Sequence, residues 1–493
     1  MTFVLDKKQG VQKQIMAYFR EKILTGALEQ GERLPTVRTL AGHLSVSPLT
    51  VTRAYKKLEV EGLIKTVQGS GTFVKSRGES EQISHDDGLE NFDWMLSVGD
   101  NLRRTQFASE FSVESLSKGY NMFTSLFRGE DYPYERISEL LQKVVREDHE
   151  LLFRYSPVNG DHLTRKTIAS YLREKGLIKV KAGDIIVTSG SQQALNIIAR
   201  TFVSANDVVL METPTFPGAI DSFQNQGCDI RSIPLEKEGM NIEILEGMVK
   251  KLKPKLIYLT PNLNNPTGIL TSIEKRRMIL DIARKNNTII IEDDPWCELV
   301  SQSGAPALLK ALDTDGHVIF VKGFSKLIGP GFRVGAIYAQ GTILNRLTTA
   351  KANADLGSPL LTQRLLAEVI SSGLLRETAA KLQKVSQERL DIAERALRKH
   401  APEYLKWIRP DGGMNLWFIL PRHLNADVFL KTYCHPNNLS FLSGRLCYPN
   451  EPEYNTCRVS DSALKTSEVE SAIRLFCDLL RSYCKDDEGD QKK

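Results

Sequence analysis

Nowhere in these 493 residues do eighteen apolar positions follow one another, so no membrane-crossing helix is expected. The opening residues, Met1 to Lys8, lack the basic-then-apolar layout of a signal peptide. Seven cysteines, an odd number, lie between Cys228 and Cys484 with no Cys-x-x-Cys pair. That argues against a disulfide framework and against a zinc site, so no metal is expected, and a reducing cytoplasm suits free thiols. Internal repeats and low-complexity tracts are also missing.

What remains has the composition of a folded, water-soluble chain: 41% hydrophobic and 25% charged, with length for two or more domains. The charge is uneven. Residues 1–77 carry thirteen Lys/Arg against six Asp/Glu, an excess of seven on a chain totalling +5, so the remainder stands at −2. A basic module on a slightly acidic body suggests a polyanionic partner, although a solvated surface has the same appearance.

The basic part, residues 8–76, reads as an α+β module. Val11, Ile15, Tyr18, Phe19, Lys22 and Ile23 recur at helical spacing over 11–25. A second helix starts near Leu34–Ala41, with Thr36 or Pro35 at its head. Ser47 caps a third, whose first position is Pro48. Val51, Ala54, Tyr55 and Leu58 form its inner face, and two short strands around Gln68-Gly69-Ser70 close a wing. The outer face of the third helix carries Ser47, Thr50, Thr52 and Arg53 at the end that would enter a major groove, and Arg38 can reach phosphate.

Residues 77–110 are polar, mostly acidic and without periodicity, and read as a linker. From 111 to 485, helices alternate with Val/Ile-rich runs at 185–187, 208–210, 256–259, 288–291 and 318–321, expected as buried parallel strands. Residues 486–493 are charged and expected to be disordered. In such a sheet, ligand groups belong at the carboxyl ends of strands, and a chemical motif follows each run. Ser189-Gly190-Ser191-Gln192 opens a helix, which suits an anion or a simple cap. Asn265-Pro266-Thr267-Gly268 suits a ligand contact or a plain turn, and Asp293 suits either a ligand or a cap. After the last run stand Ser325, Lys326, Pro330, Gly331 and Arg333. A sheltered lysine is a nucleophile toward carbonyls, and an arginine pairs with phosphate; pyridoxal phosphate carries both groups.

The motif Ser325-Lys326-x-x-x-Pro330-Gly331-x-Arg333 resembles the cofactor-lysine motif of fold-type I aminotransferases, and the first seventy-odd residues resemble a GntR-type winged helix. Together they resemble the MocR subfamily of bacterial regulators across nearly the whole chain. The resemblance implies a winged helix-turn-helix joined to an α/β domain with a mainly parallel sheet and a smaller C-terminal α/β subdomain. It implies pyridoxal phosphate bonded to Lys326, its phosphate held by Ser191, Gln192, Ser325 and Arg333, and its ring stacked by Phe216. Asn265 would donate to the phenolic oxygen, and Asp293 would pair with the pyridine nitrogen. Trp296 stands where tyrosine is usual, and Gly323 where a hydroxyl residue is common, removing one phosphate contact worth about 1.5–3 kcal/mol. Arg458 would clamp an effector carboxylate, and Tyr155 would be given across a homodimer. Arg38, Ser47, Thr50 and Gly69 take the DNA-contact positions, whereas Pro48 and Thr52 replace arginines found in many relatives.

The implied function is a cytoplasmic transcriptional regulator that binds duplex DNA and senses pyridoxal phosphate, an amine or an amino acid. The rivals are an active aminotransferase with an appended DNA module, for which Lys326 and Asp293 would be catalytic, and a DNA-binding protein with an empty pocket.

Overall fold

The computed structural model describes residues 10–24, 28, 31–44, 46–60, 63–67, 71–75, 119–174, 178–301 and 304–490. Gly69 and the 77–110 segment lie outside the described residues. The chain divides into two units, Met1–Glu110 and Phe111–Lys493.

In the first unit, α1 (Val11–Leu24), α2 (Val37–Leu44) and α3 (Pro48–Val60) precede an antiparallel pair, β1 (Ile64–Val67) and β2 (Gly71–Val74). Ile15 and Phe19 of α1, Leu40 of α2 and Val51, Ala54, Tyr55 and Leu58 of α3 make one core, so the helical spacing read from the sequence is the buried stripe. The caps follow from side-chain oxygens that accept the first free N–H groups: Thr39 N donates to Thr36 Oγ1, and Thr50 N donates to Ser47 Oγ, each at 3.2 Å.

The second unit is built on eight strands in the order β4-β11-β10-β9-β8-β5-β6-β7. They are β4 (Ile185–Thr188), β5 (Val208–Thr213), β6 (Asp229–Glu236), β7 (Gly239–Met240), β8 (Leu256–Leu259), β9 (Ile289–Asp294), β10 (Val318–Gly323) and β11 (Gly335–Tyr338). Strands β10, β9, β8, β5 and β6 are parallel neighbours. The run at 185–187 points the same way as those strands, as expected, but is not their direct neighbour. The antiparallel β11 lies between β4 and β10, brought back by the sharp turn at Gly329–Arg333. Helices cover both faces, so the central strands β8, β9 and β10 are buried almost throughout, while β6 near the edge is only partly so.

A smaller sheet of order β12-β13-β15-β14-β3 joins β12 (Lys406–Ile408), β13 (Asn415–Ile419), β14 (Leu439–Ser443) and β15 (Thr456–Ser460) to β3 (Tyr120–Met122). The disorder expected from residue 486 is corrected as far as Asp490, because the last helix runs Val469–Asp490. Its stripe of Val469, Ile473, Phe476 and Leu480 is buried, and Tyr433 Oη donates to Asp486 Oδ2 at 2.7 Å, which carries the helix past the apolar part. No helix among the described residues is long and apolar enough to cross a membrane.

Candidate cofactor cavity and nucleic-acid face

A cavity of about 400 Å³ forms where strand ends of the large sheet meet β3 and β15. Ser191, Gln192, Phe216, Asn265, Asp293, Trp296, Ser325, Lys326, Arg333 and Arg458 all line it. Ten residues expected at one site thus converge from six strand ends and loops.

Lys326 follows β10 on a single helical turn, Ser325–Ile328. Its Nζ donates to the Ser125 carbonyl at 2.8 Å, and its own carbonyl accepts from Tyr132 Oη at 3.0 Å. Burial, with Arg458 and Arg333 nearby, pushes its pKa down to about 7. A substantial fraction is therefore neutral, and nucleophilic, at neutral pH.

Asp293 is the last residue but one of β9 and is buried, and that burial pushes its pKa up to about 7. Tyr258 Oη donates to Oδ2 at 2.9 Å, while the buried Oδ1 has no partner. A buried carboxylate oxygen is costly to leave unpaired, so Oδ1 fits a cationic N–H donor in the cavity, such as a protonated pyridine.

A helix start and an arginine also line the cavity. The helix Ser191–Phe202 begins at Gly190, φ 90°, and its first bonded N–H is that of Ala194, so the N–H groups ahead of it face outward. Arg333 packs on Gly190, where a Cβ would come within 2.9 Å of its guanidinium. A Cβ at position 323 would stand 2.7 Å from Ser191 Oγ, so Gly323 leaves room for that hydroxyl. Gln192 contributes only through its place in the first turn. Its side-chain nitrogen is bonded at 2.9 Å to both the Gly218 carbonyl and Ser222 Oγ.

Arg458, on β15, donates to Asn265 Oδ1 at 3.1 Å and to the Phe123 carbonyl. Its buried Nε has no partner. With its oxygen accepting from Arg458, Asn265 retains its Nδ2 donor for the cavity.

The Trp296 N–H does not donate into the cavity. It bonds the Leu263 carbonyl at 2.8 Å, and only the ring faces inward, 6.0 Å from Lys326 Nζ. Tyr155 is 89% exposed and does not line the cavity of its own chain.

Sequence reasoning missed Tyr258, which reads as one more apolar strand residue, and the 123–126 segment, which carries no motif. It also missed Lys322, whose ammonium is bonded to Asp294 Oδ2 at 2.9 Å and Glu298 Oε2 at 2.8 Å, with the side chain 1% exposed. Burial opposes its charge, but Asp294, Cys297 and Glu298 outweigh that and hold its pKa above the ordinary value. This network pins β10 to β9 directly below Asp293 and Lys326. Among the described residues, no cluster of His, Cys, Asp and Glu is arranged to hold a metal ion.

On α3, Thr52 and Arg53 are exposed, as is Arg38 at the start of α2. Ser47 and Thr50 share a hydroxyl contact at 2.8 Å, and Thr52 Oγ1 donates back to the Pro48 carbonyl at 3.0 Å. Arg33 was not foreseen. A Cβ on Gly71 would come 2.7 Å from its Nε, so this exposed guanidinium sits against the wing strand.

A mainly parallel sheet with lysine, aspartate and asparagine converging at its strand ends defines the fold-type I pyridoxal-phosphate transferases. The model of the family "Aminotransferase class I and II" matches residues 127–471, and that of "Bacterial regulatory proteins, gntR family" matches residues 11–74. The chain therefore belongs to the class I and II aminotransferase family, with a gntR-type winged helix ahead of that domain. It is 31% identical over 346 residues to the 2-aminoadipate transaminase of Thermus thermophilus, covering 70% of this chain and 85% of that protein. It is 28% identical over 431 residues to the probable rhizopine catabolism regulatory protein MocR of Rhizobium meliloti, covering 86% and 85%. The kynurenine aminotransferase of Pyrococcus horikoshii, solved in complex with PMP, superposes with a TM-score of 0.73 at 27% identity, covering 80% of this chain and 97% of that one.

Proposed function

We propose that this chain is a DNA-binding transcriptional regulator whose aminotransferase-like body holds pyridoxal phosphate and senses that vitamer, an amine or an amino acid. One observation carries the reading. The unpaired Asp293 Oδ1 and a lysine amine brought to about pKa 7 line the same cavity.

When bound, pyridoxal phosphate supplies an aldehyde and an electron-withdrawing ring. Lys326 would supply the neutral amine that holds the aldehyde and could serve as a base within the cavity. Asp293 holds the proton on the pyridine nitrogen, with Tyr258 orienting its carboxylate. Asn265 would donate to the phenolic oxygen, and Phe216 and Trp296 would shield the ring from water. Ser191, Ser325, Arg333 and the first turn at Gln192 hold the phosphate. Arg458 binds an effector carboxylate, its Nε being available. Arg38, Ser47, Thr50, Thr52, Arg53 and Gly69 meet the duplex operator. The regulator acts as a homodimer, in which Tyr155 and its neighbour Phe153, 89% and 80% exposed, are covered and Tyr155 reaches the partner's phosphate.

The test pairs two measurements on the full chain. Pure protein should absorb in the visible with pyridoxal phosphate, and Lys326→Ala should abolish that band. Gel shifts on DNA upstream of its own gene should show specific binding that changes with an amine effector. Robust turnover of an amino-acid panel without DNA binding would instead favour the aminotransferase reading, for which the meeting of Lys326, Asp293 and Arg458 in one cavity is the supporting observation.

A further inference from the structure

A second cavity, of about 510 Å³, lies between β5 and β6 of the large sheet and β12 and β13 of the small one. Its size falls within the range of small-molecule sites. No role described above uses it.

Its chemistry is lopsided. The floor is apolar, with Leu235, Met248, Ile269 and Ile419, and two aromatic rings stand on one wall, Trp417 and Tyr448, 6.5 Å apart. Three charged side chains reach it: Arg231, Glu451 and Glu453. Arg231 is already neutralised by Asp229, at 2.8 Å, so the uncompensated charge is that of the two glutamates. Glu453 Oε2 accepts from Tyr448 Oη at 3.1 Å, which aligns the carboxylate beside the rings. Two lining hydroxyls, Thr213 Oγ1 and Ser232 Oγ, are buried without a partner. Aromatic faces next to an acidic rim recognise a cation, and an apolar floor recognises a hydrocarbon body.

The cavity backs onto the first one. Thr267 lines it and is held by Asn264, whose Oδ1 accepts from both Thr267 N–H and hydroxyl, at 3.1 and 2.7 Å. Asn265 follows directly and faces the cofactor cavity. Across the gap, Trp417 pairs with Arg458 in the β13–β15 ladder. The Asn265–Arg458 bond and the Thr267–Trp417 walls are therefore two sides of one junction between the sheets.

We infer that this second cavity is a ligand site for an organic cation with an aromatic or aliphatic body, and that occupancy shifts the Asn265–Arg458 junction. Such a ligand touches both sheets, so it favours one spacing between them over others. The ligand site does not depend on the cofactor reading, whereas its link to the first cavity rests on it.

Benzyltrimethylammonium is a suitable probe, because it has no N–H and cannot condense with an aldehyde. Calorimetry on the full-length, cofactor-loaded protein should show one saturable site per chain. Glu453→Gln should weaken binding at least tenfold, and Met248→Trp, which fills the cavity from its apolar floor without altering charge, should abolish it. 3-Phenylpropanoate should not bind. Retained affinity in both cavity variants, or preference for the anion, would overturn the site. At saturation the probe should change the affinity for pyridoxal phosphate at least threefold, and binding with no such change would overturn the link between the cavities.

Discussion

Tyr258 donates its phenol hydrogen to one oxygen of Asp293 at 2.9 Å and leaves the other oxygen, buried, without a partner. One strand thus orients a carboxylate on the next so that a single acceptor remains for the cavity. Tyr258→Phe removes a hydrogen bond to a charged group, worth about 1.5 kcal/mol. The expected result is about tenfold weaker binding of pyridoxal phosphate by absorbance titration, with DNA affinity of the cofactor-free protein unchanged. Unchanged cofactor affinity would mean that Tyr258 does not orient Asp293.

Two groups in the cavity titrate near pH 7, and both favour cofactor binding on the alkaline side. Asp293 must be charged to hold a pyridinium proton and Lys326 must be neutral to attack an aldehyde, and each passes half-way at about 7. Affinity should rise from pH 6 to 8 and level off above. Asp293→Asn should both lower the affinity and flatten that dependence.

Asp461 is buried, neither carboxylate oxygen has a partner, and burial pushes its pKa up to about 7. For an acid raised in the folded state, stability is fully present below its unfolded pKa, ordinarily about 4, and is lost as pH rises through the folded value. Asp461→Asn should therefore raise stability at pH 8 by about 1–3 kcal/mol and change little at pH 4. Urea melts at the two pH values make the comparison.

The Lys322 ammonium bridges two buried carboxylates. Lys322→Met should cost about 3–5 kcal/mol, because Asp294 and Glu298 are left buried without their cation. Adding Asp294→Asn and Glu298→Gln should recover much of that loss. No recovery would mean that packing, not charge, holds β9 to β10.

Gly323→Ser supplies the hydroxyl residue common in relatives, yet here it should weaken cofactor binding. Its Cβ would stand 2.7 Å from Ser191 Oγ. Combining it with Ser191→Ala should restore affinity. In the DNA module, Arg53→Ala should weaken operator binding and reduce the salt slope by roughly one, the release of one counterion.

Much of this was legible in the residue order. Helix spacing placed Val51, Ala54, Tyr55 and Leu58 in the core of the first unit, and Val/Ile runs marked five strands of the large sheet. Motifs just past those runs named nine of the residues lining the cavity, because in such a sheet a strand end is at once a sequence position and a place in space. These are short-range properties, set within a few residues by periodicity, capping and turn chemistry.

Partnership was decided only by the tertiary structure. Asn265 meets Arg458 across 193 residues and Tyr258 meets Asp293 across 35. Trp296 turns its N–H to Leu263 rather than to the cavity, and β11 enters the sheet reversed between β4 and β10. The cavity between the two sheets leaves no mark in any single segment, since its walls come from strands far apart in the chain. Hydrogen bonding and close packing act between whichever groups the fold brings within a few ångströms, and no local pattern records which groups those are.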